Sequence, residues 1–307
     1  MTEVISPLDK IKATLRHSQT EEIPKGELWL GTDILETAGF EDTLPGHIRL
    51  TEQLRHDTIC LPIAHEPFMN KTLGYRYFPV GVVREALKAT RLFVMAVIDG
   101  PFQRLVEKNG LIEILTLWAR RREDFPDAYE RESARVEDLI NRCLEHGIHG
   151  IVIADDMAGD TAPFLSPRDI ERFSSLFYAR AVSKIHAAHA AAFLHSCGRI
   201  SAIVPQIISS GFDGLAAIQH RTNDLISLKS AQGSRLVVMG GIDGDLLEKE
   251  ELSRHDIEGL KKTISALSRN GGFILSSSCG LYSGRFLERM ERIYDLVLES
   301  RGGQASL

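Results

Sequence analysis

Short apolar runs recur along the chain, each followed by a longer stretch whose apolar positions fall three and four apart. The runs cover residues 28–30, 58–63, 92–98, 150–154, 191–194, 214–218, 236–239 and 273–275. They are rich in Val, Ile, Leu and Ala and do not alternate with polar residues, as expected of parallel strands buried on both faces. The stretches between them read as helices. Ser166-Pro167-Arg168-Asp169 offers a capping hydroxyl, a proline at the first helical position and a carboxylate in the first turn. Ile170, Phe173, Phe177 and Ala181 then share one face. Ser6-Pro7-Leu8-Asp9 repeats the start signal and predicts a helical extension ahead of the first strand. Residues 111–147 suffice for two helices broken near Pro126, and Gly147 and Gly211 stand where helices should stop.

Eight apolar runs alternating with helices predict a (β/α)8 TIM barrel, an α/β fold of about 250 residues or more. No linker, repeat or low-complexity tract divides the chain, so residues 1–307 are expected to form a single barrel domain. A doubly wound open sheet is the structural alternative. The balance of 36 Lys and Arg against 42 Asp and Glu gives a net charge of −6 without a basic block, which argues against nucleic acid as the partner. The longest apolar strings are too short to span a bilayer, and the first ten residues lack the core of a signal peptide. Four cysteines in 307 residues do not make a disulfide framework, so a reducing cytoplasm is the expected compartment. The oligomeric state stays open, a homodimer included.

Barrel chemistry sits at the carboxyl ends of the strands. The residues that follow the eight runs are, in order, Asp33; His65 and Glu66; Asp99; Asp155 and Asp156; His195 and Cys197; Gln219 and His220; Asp243; and Cys279. His195 and Cys197 are two apart, so in extended chain both face one point. Cys279 arrives from another strand end. One imidazole and two thiolates suit zinc and argue against magnesium or calcium. Spacing alone is equally consistent with two buried thiols beside a hydrogen-bonded histidine. Asp155 and Asp156 are candidates for a zinc ligand, an acceptor for His195 or a proton carrier, against a polar strand end that caps a turn. Small residues at Gly240-Gly241 and 276–280 allow close approach by a bulky ligand.

These residues resemble a known family. Asp155-Asp156-Met157-Ala158, Phe164-Leu165-Ser166-Pro167 and His195-Ser196-Cys197-Gly198 are similar to blocks of the uroporphyrinogen decarboxylase superfamily. So are Asp99-Gly100-Pro101-Phe102, Gly211-Phe212-Asp213, Ile218-Gln219, Gly240-Gly241-Ile242-Asp243 and Gly271-Gly272-Phe273-Ile274-Leu275. The likeness is dense from residue 92 onward and thin before it. It implies a (β/α)8 barrel and one of two chemistries. The decarboxylases carry an arginine-rich Pro-x-Trp-x-Met-Arg-Gln-Ala-Gly-Arg motif, whereas this chain has Pro24-Lys25-Gly26-Glu27-Leu28-Trp29-Leu30-Gly31. They also place an aspartate after the second strand, where Ala64-His65-Glu66-Pro67 stands.

The other branch, the corrinoid-dependent methyltransferases of the methylcobamide:coenzyme M type, carries His-x-Cys and a distant second Cys as zinc ligands. His195, Cys197 and Cys279 match that pattern. The resemblance thus implies a zinc enzyme moving a methyl group between a corrinoid (methylcobamide) protein and a small-molecule thiol, folate or methoxy compound. Asp155, Asp156 and Glu66 are then the candidate catalytic carboxylates. Gln219, His220, Gly240 and Asp243 are the candidates for contact with the corrinoid cofactor. The rivals are a metal-free decarboxylase of tetrapyrroles, with Arg16, Arg49 and Arg76 as loose candidate arginines, and an idle barrel that only binds.

Overall fold

A computed structural model describes residues 5–120 and 124–302. Nine strands form one curled sheet: β1 (Thr58–Ala64), β2 (Phe68–Asn70), β3 (Tyr75–Pro79), β4 (Phe93–Asp99), β5 (Gly150–Ala154), β6 (Ala191–His195), β7 (Gly214–Ile218), β8 (Val237–Ile242) and β9 (Phe273–Ser277). Their order is β2-β3-β1-β4-β5-β6-β7-β8-β9, and every pair except the β2–β3 hairpin is parallel. The fold is a (β/α)8 barrel, as the apolar runs imply.

The first run is not a regular strand. Residues 24–31 bridge β9 singly, at Lys25 with Leu275, and bridge Leu281 beyond it through Leu30. Gly26 N donates to the Leu275 carbonyl (3.1 Å), Leu275 N to Pro24 (2.8 Å), and Asp57 N, just ahead of β1, to Lys25 (2.7 Å). The segment therefore holds the eighth stave's place and closes the ring between β9 and β1. It lies so close to β1 that a Cβ on Gly26 would come within 1.9 Å of Thr58 Oγ1. That proximity and the missing N–H of Pro24 account for a ladder reduced to single bridges. The β2–β3 hairpin, a second departure from the eight-run pattern, joins β1 through Ile63↔Phe78 and Ala64↔Pro79.

Strand alternation divides the apolar residues into two cores. Cys60, Phe93, Met95, Val97, Val152, Phe193 and Ile274 fill the barrel, while Ile59, Val94, Ile98, Ile151, Ile153 and Leu194 pack outward under the helices. The helix Pro167–Ala187 begins as expected, with Ser166 Oγ accepting from Asp169 N, and buries Ile170, Phe177 and Ala181. The extension Pro7–Leu15 starts under Ser6 in the same way. The break expected near Pro126 falls earlier: helices span Leu111–Ala119 and Asp124–Glu145, and Pro126 sits in the first turn of the second. Residues 121–123 lie outside the described residues. Gly147 (φ 79°) and Gly211 (φ 90°) end their helices with left-handed backbone. Among the described residues no helix is long and apolar enough to cross a membrane.

Candidate metal centre at the barrel mouth

The alternation that fills the barrel also selects which strand-end residues face its mouth. On β4 the inward series 93, 95, 97 continues to Asp99, and on β6 the series 191, 193 continues to His195 and Cys197. On β5, Val152 and Ala154 face inward, so Asp156 follows them and Asp155 does not. A cavity of about 280 Å³ opens here, lined by Asp99, Asp156, His195, Cys197 and Cys279 among others.

Asp156, His195 and Cys197 offer one carboxylate oxygen, one imidazole nitrogen and one sulfur, all within 4.8 Å of one another. His195 Nε2 lies 3.6 Å from Cys197 Sγ and 3.6 Å from Asp156 Oδ1. Zinc bonds of about 2.0–2.3 Å in a tetrahedron put ligand atoms about 3.3–3.8 Å apart, so these separations fit one ion. Asp156 Oδ1 also accepts from Cys197 N (2.8 Å), which fixes the carboxylate beside the thiol. Burial first, and Asp156 second, raise the Cys197 thiol far above its ordinary range; burial pushes Cys279 up to about 12. A cation bound among these groups would reverse that preference and favour thiolates.

Asp155 has a structural task. It is fully buried, accepts from Gln103 N (2.7 Å) at the start of the helix Pro101–Asn109, and accepts from Tyr178 OH (2.7 Å). Burial raises its carboxyl to about 7. Glu66 is exposed and lies away from the mouth, in a separate surface pocket with His65, Phe68, Arg104 and Arg135. The β2–β3 hairpin that follows β1 diverts the chain there.

The candidate cofactor contacts divide in two. β7 bulges between Leu215 and Ile218, with Ala217 at φ 51°, so Ala216 and Ala217 both face the barrel. The extra residue turns Gln219 inward, where Oε1 accepts from Gly198 N (2.8 Å), and leaves His220 off the cavity. Gly240 is buried within β8 opposite Leu275, and Asp243 caps the helix Gly244–Glu248 through Asp245 N. Neither lines the mouth.

Cys279 has the outward parity of β9, with Phe273 and Leu275, yet it lines the cavity because β9 ends at Ser277 and the chain bends at Ser278 and Cys279. Its Sγ donates to the Gly280 carbonyl (3.2 Å), and it stands outside the close trio. Glu27 shapes this turn from beneath. It accepts from Ser277 N (2.8 Å) and Oγ (2.5 Å), and Ser277 Oγ accepts from Gly280 N (2.9 Å). Burial raises Glu27 to about 7. Cys60 and Cys143 are buried thiols of the two cores.

Sequence reasoning missed the aromatic wall. The Trp29 ring meets His195 edge-on (4.7 Å), Tyr75 lies 5.9 Å from Trp29, and Tyr77 donates to Asp99 Oδ1 (2.8 Å). Tyr75 and Tyr77 belong to the hairpin, which no apolar run announced; their period-two aromatic spacing was the available cue.

Comparison with known proteins agrees with this architecture. The family model of uroporphyrinogen decarboxylase (URO-D) matches residues 55–300. A methylcobamide:CoM methyltransferase, MtaA, of Methanosarcina barkeri is 23% identical over 220 residues, 70% of this chain and 62% of that protein. The chain thus spans under two thirds of the length of the curated relatives it matches. Among solved structures, a methyltransferase from Methanosarcina mazei superposes with TM-score 0.73 at 14% identity, covering 98% of this chain and 100% of that one. An L-ribulose 3-epimerase gives 0.55 at 14% identity over 92% and 96%. At these identities the likeness is one of fold.

Proposed function

Because this chain belongs to the uroporphyrinogen decarboxylase family, we propose that it is a zinc-dependent methyltransferase working between a corrinoid carried by a partner protein and a small molecule. The observation that carries this reading is the Asp156–His195–Cys197 trio, whose 3.6 Å separations suit one ion. Those three residues would hold zinc, with Cys279 as a fourth donor on the same cavity. Zinc bound there supplies Lewis acidity, which keeps a thiol deprotonated at neutral pH or eases departure of an oxygen or nitrogen from its methyl group.

The chain's own residues do the rest. Ala216 orients His195, Gln219 holds the loop after Cys197, and the Trp29 ring packs edge-on against His195. The four cysteines are free of disulfides, which suits a reducing cytoplasm. A tetrapyrrole decarboxylase fits less well. No Lys or Arg is among the described residues lining the cavity, and Arg76 is engaged with Asp42 (3.2 Å). A polycarboxylate would meet Asp99, Glu107 and Asp156 instead.

The test is zinc per chain in protein purified without chelator, followed by demethylation of methylcobalamin with a thiol acceptor. We expect about one zinc, lost in Cys197→Ala, and thiol-dependent demethylation lost with it. A chain that takes no zinc after reconstitution would overturn the reading.

A further inference from the structure

Glu66, which the mouth does not use, shares a surface pocket of about 380 Å³ with Ala64, His65, Phe68, Arg104 and Arg135. Behind these arginines stands Glu132, 5% exposed, on the helix Asp124–Glu145. Arg104 Nε (2.9 Å), Arg135 Nη1 (2.9 Å) and Lys108 Nζ converge on its carboxylate. Burial alone would raise Glu132, yet Lys108 and Arg104 hold it below the ordinary carboxylate range, so it is ionised at neutral pH. A single cation would balance one buried carboxylate. Three cations against Glu132 leave two positive charges in excess.

Each arginine spends one nitrogen on Glu132, and its other guanidinium N–H groups make no hydrogen bond among the described residues. Glu132 thus anchors two planar forks that line the pocket with donors to spare. The neighbouring carboxylates do not take them: Asp138 lies 3.0 Å from His65 Nε2, and Glu66 pairs with neither arginine. Phe68 adds a flat apolar surface. It is 46% exposed and stacks on Tyr77, with ring centroids 4.3 Å apart and planes 10° from parallel. From this arrangement we infer that the pocket binds a small, flat molecule carrying a phosphate monoester, with the phosphate at Arg104 and Arg135 and the flat part against Phe68. A phosphate monoester carries about −1.5 to −2 charges at neutral pH, which matches the excess. Its oxygens accept from guanidinium forks, and an aromatic face favours a second ring. A cation would meet three like charges, and a neutral molecule would leave the forks without an acceptor. The occupant would touch the β2–β3 hairpin, whose Asn70 and Tyr75 line the mouth.

The full chain is titrated by calorimetry, at ionic strength held constant with sodium chloride, with phenyl phosphate, inorganic phosphate, sodium benzoate and benzyl alcohol. Phenyl phosphate should bind at least about tenfold more tightly than benzyl alcohol, and more tightly than inorganic phosphate or benzoate. Arg135→Gln, at a side chain 57% exposed, should keep the parent's melting temperature and weaken phenyl phosphate about tenfold. Phe68→Ala should erase the advantage of phenyl phosphate over inorganic phosphate. Neither residue lines the mouth, so these losses locate the ligand. Binding indifferent to both substitutions, or phenyl phosphate no tighter than benzyl alcohol, would overturn the inference. A diglutamate peptide binding more tightly than phenyl phosphate would also overturn it, by assigning the pocket to an acidic segment of a protein. Phenyl phosphate binding in a chain that takes up no zinc would uphold the pocket while removing the methyltransferase reading.

Discussion

The Nδ1–H of His195 donates to the carbonyl of Ala216 across 2.8 Å. A carbonyl only accepts, so Nδ1 carries a hydrogen, and in the neutral ring the lone pair belongs to Nε2, which faces Cys197 and Asp156. The carbonyl is available because β7 bulges at Ala216 and Ala217. One irregularity thus fixes the tautomer of the histidine and turns Gln219 toward the mouth.

The trio and Cys279 should contribute unequally to metal affinity. Cys197→Ser and Asp156→Asn are expected to weaken zinc binding by more than about 100-fold, and Cys279→Ser by less. Competition against a chromophoric chelator measures each. Equal losses for Cys279→Ser and Cys197→Ser would place both sulfurs in the inner set.

Asp155→Ala should damage the fold and spare the metal. It removes the acceptor of Gln103 N and leaves the buried Tyr178 OH with only the Met157 sulfur (3.2 Å), and should cost about 1–3 kcal/mol of stability. Urea titration gives the loss, and zinc content of the folded fraction should stay unchanged. Zinc lost from well-folded Asp155→Asn would contradict the structural assignment.

Gly198→Ala probes the loop that carries Cys197. Gly198 has φ 76°, and a Cβ there would stand 2.3 Å from the Ala158 carbonyl oxygen. Backbone strain alone should cost about 1–3 kcal/mol, and displacement of the loop should lower zinc affinity as well. A variant with unaltered melting temperature and zinc affinity would show that the loop accommodates a side chain.

His56 sets a pH limit far from the mouth. It is buried against Tyr294, whose hydroxyl lies 2.9 Å from Nε2, and burial lowers its pKa from 6.5 to about 3. Below pH 6.5 the unfolded chain takes up a proton that the folded chain refuses. This contribution to stability is therefore complete above pH 6.5 and falls as pH drops toward 3, by about 1.4 kcal/mol per pH unit at most. His56→Gln should flatten the fall between pH 6 and 4 in denaturant titrations; parallel curves for the two proteins would refute the assignment.

The barrel was legible because its strands are apolar on both sides and its helices carry their own start signals at Ser6 and Ser166. The segment at 24–31 reads as a strand because residues 28–30 form an apolar run, and Leu28 and Leu30 are indeed buried. Its departure comes from packing against Thr58, a contact that periodicity does not encode. His195 and Cys197 were legible from their spacing of two. Asp156 could be separated from Asp155 only by following the parity of β5 out of the barrel, and Gln219 from His220 only by knowing of the bulge. Glu66 does not line the mouth cavity, because the β2–β3 hairpin follows β1 directly, and the hairpin's short strands carry too few apolar residues to stand out in the sequence.

The closing seam between residues 24–31 and β9 bears on how the chain acquires its shape. Glu27 and Ser277 are 250 positions apart, yet their hydrogen bonds join the seam to the turn that carries Cys279. Contacts of such sequence separation are slow to form, since a long loop must be closed before they reward it. During synthesis the N-terminal segment waits with one flank unpaired until β9 emerges, and the cysteine turn takes its native form only when the ring shuts. The Asp156–His195–Cys197 trio, carried by the adjacent β5 and β6, does not depend on that closure, whereas the place of Cys279 on the cavity does. Glu27→Ala should therefore slow the burial of the Cys279 thiol in refolding experiments more than recovery of helical signal, and equal rates would show that the seam forms early.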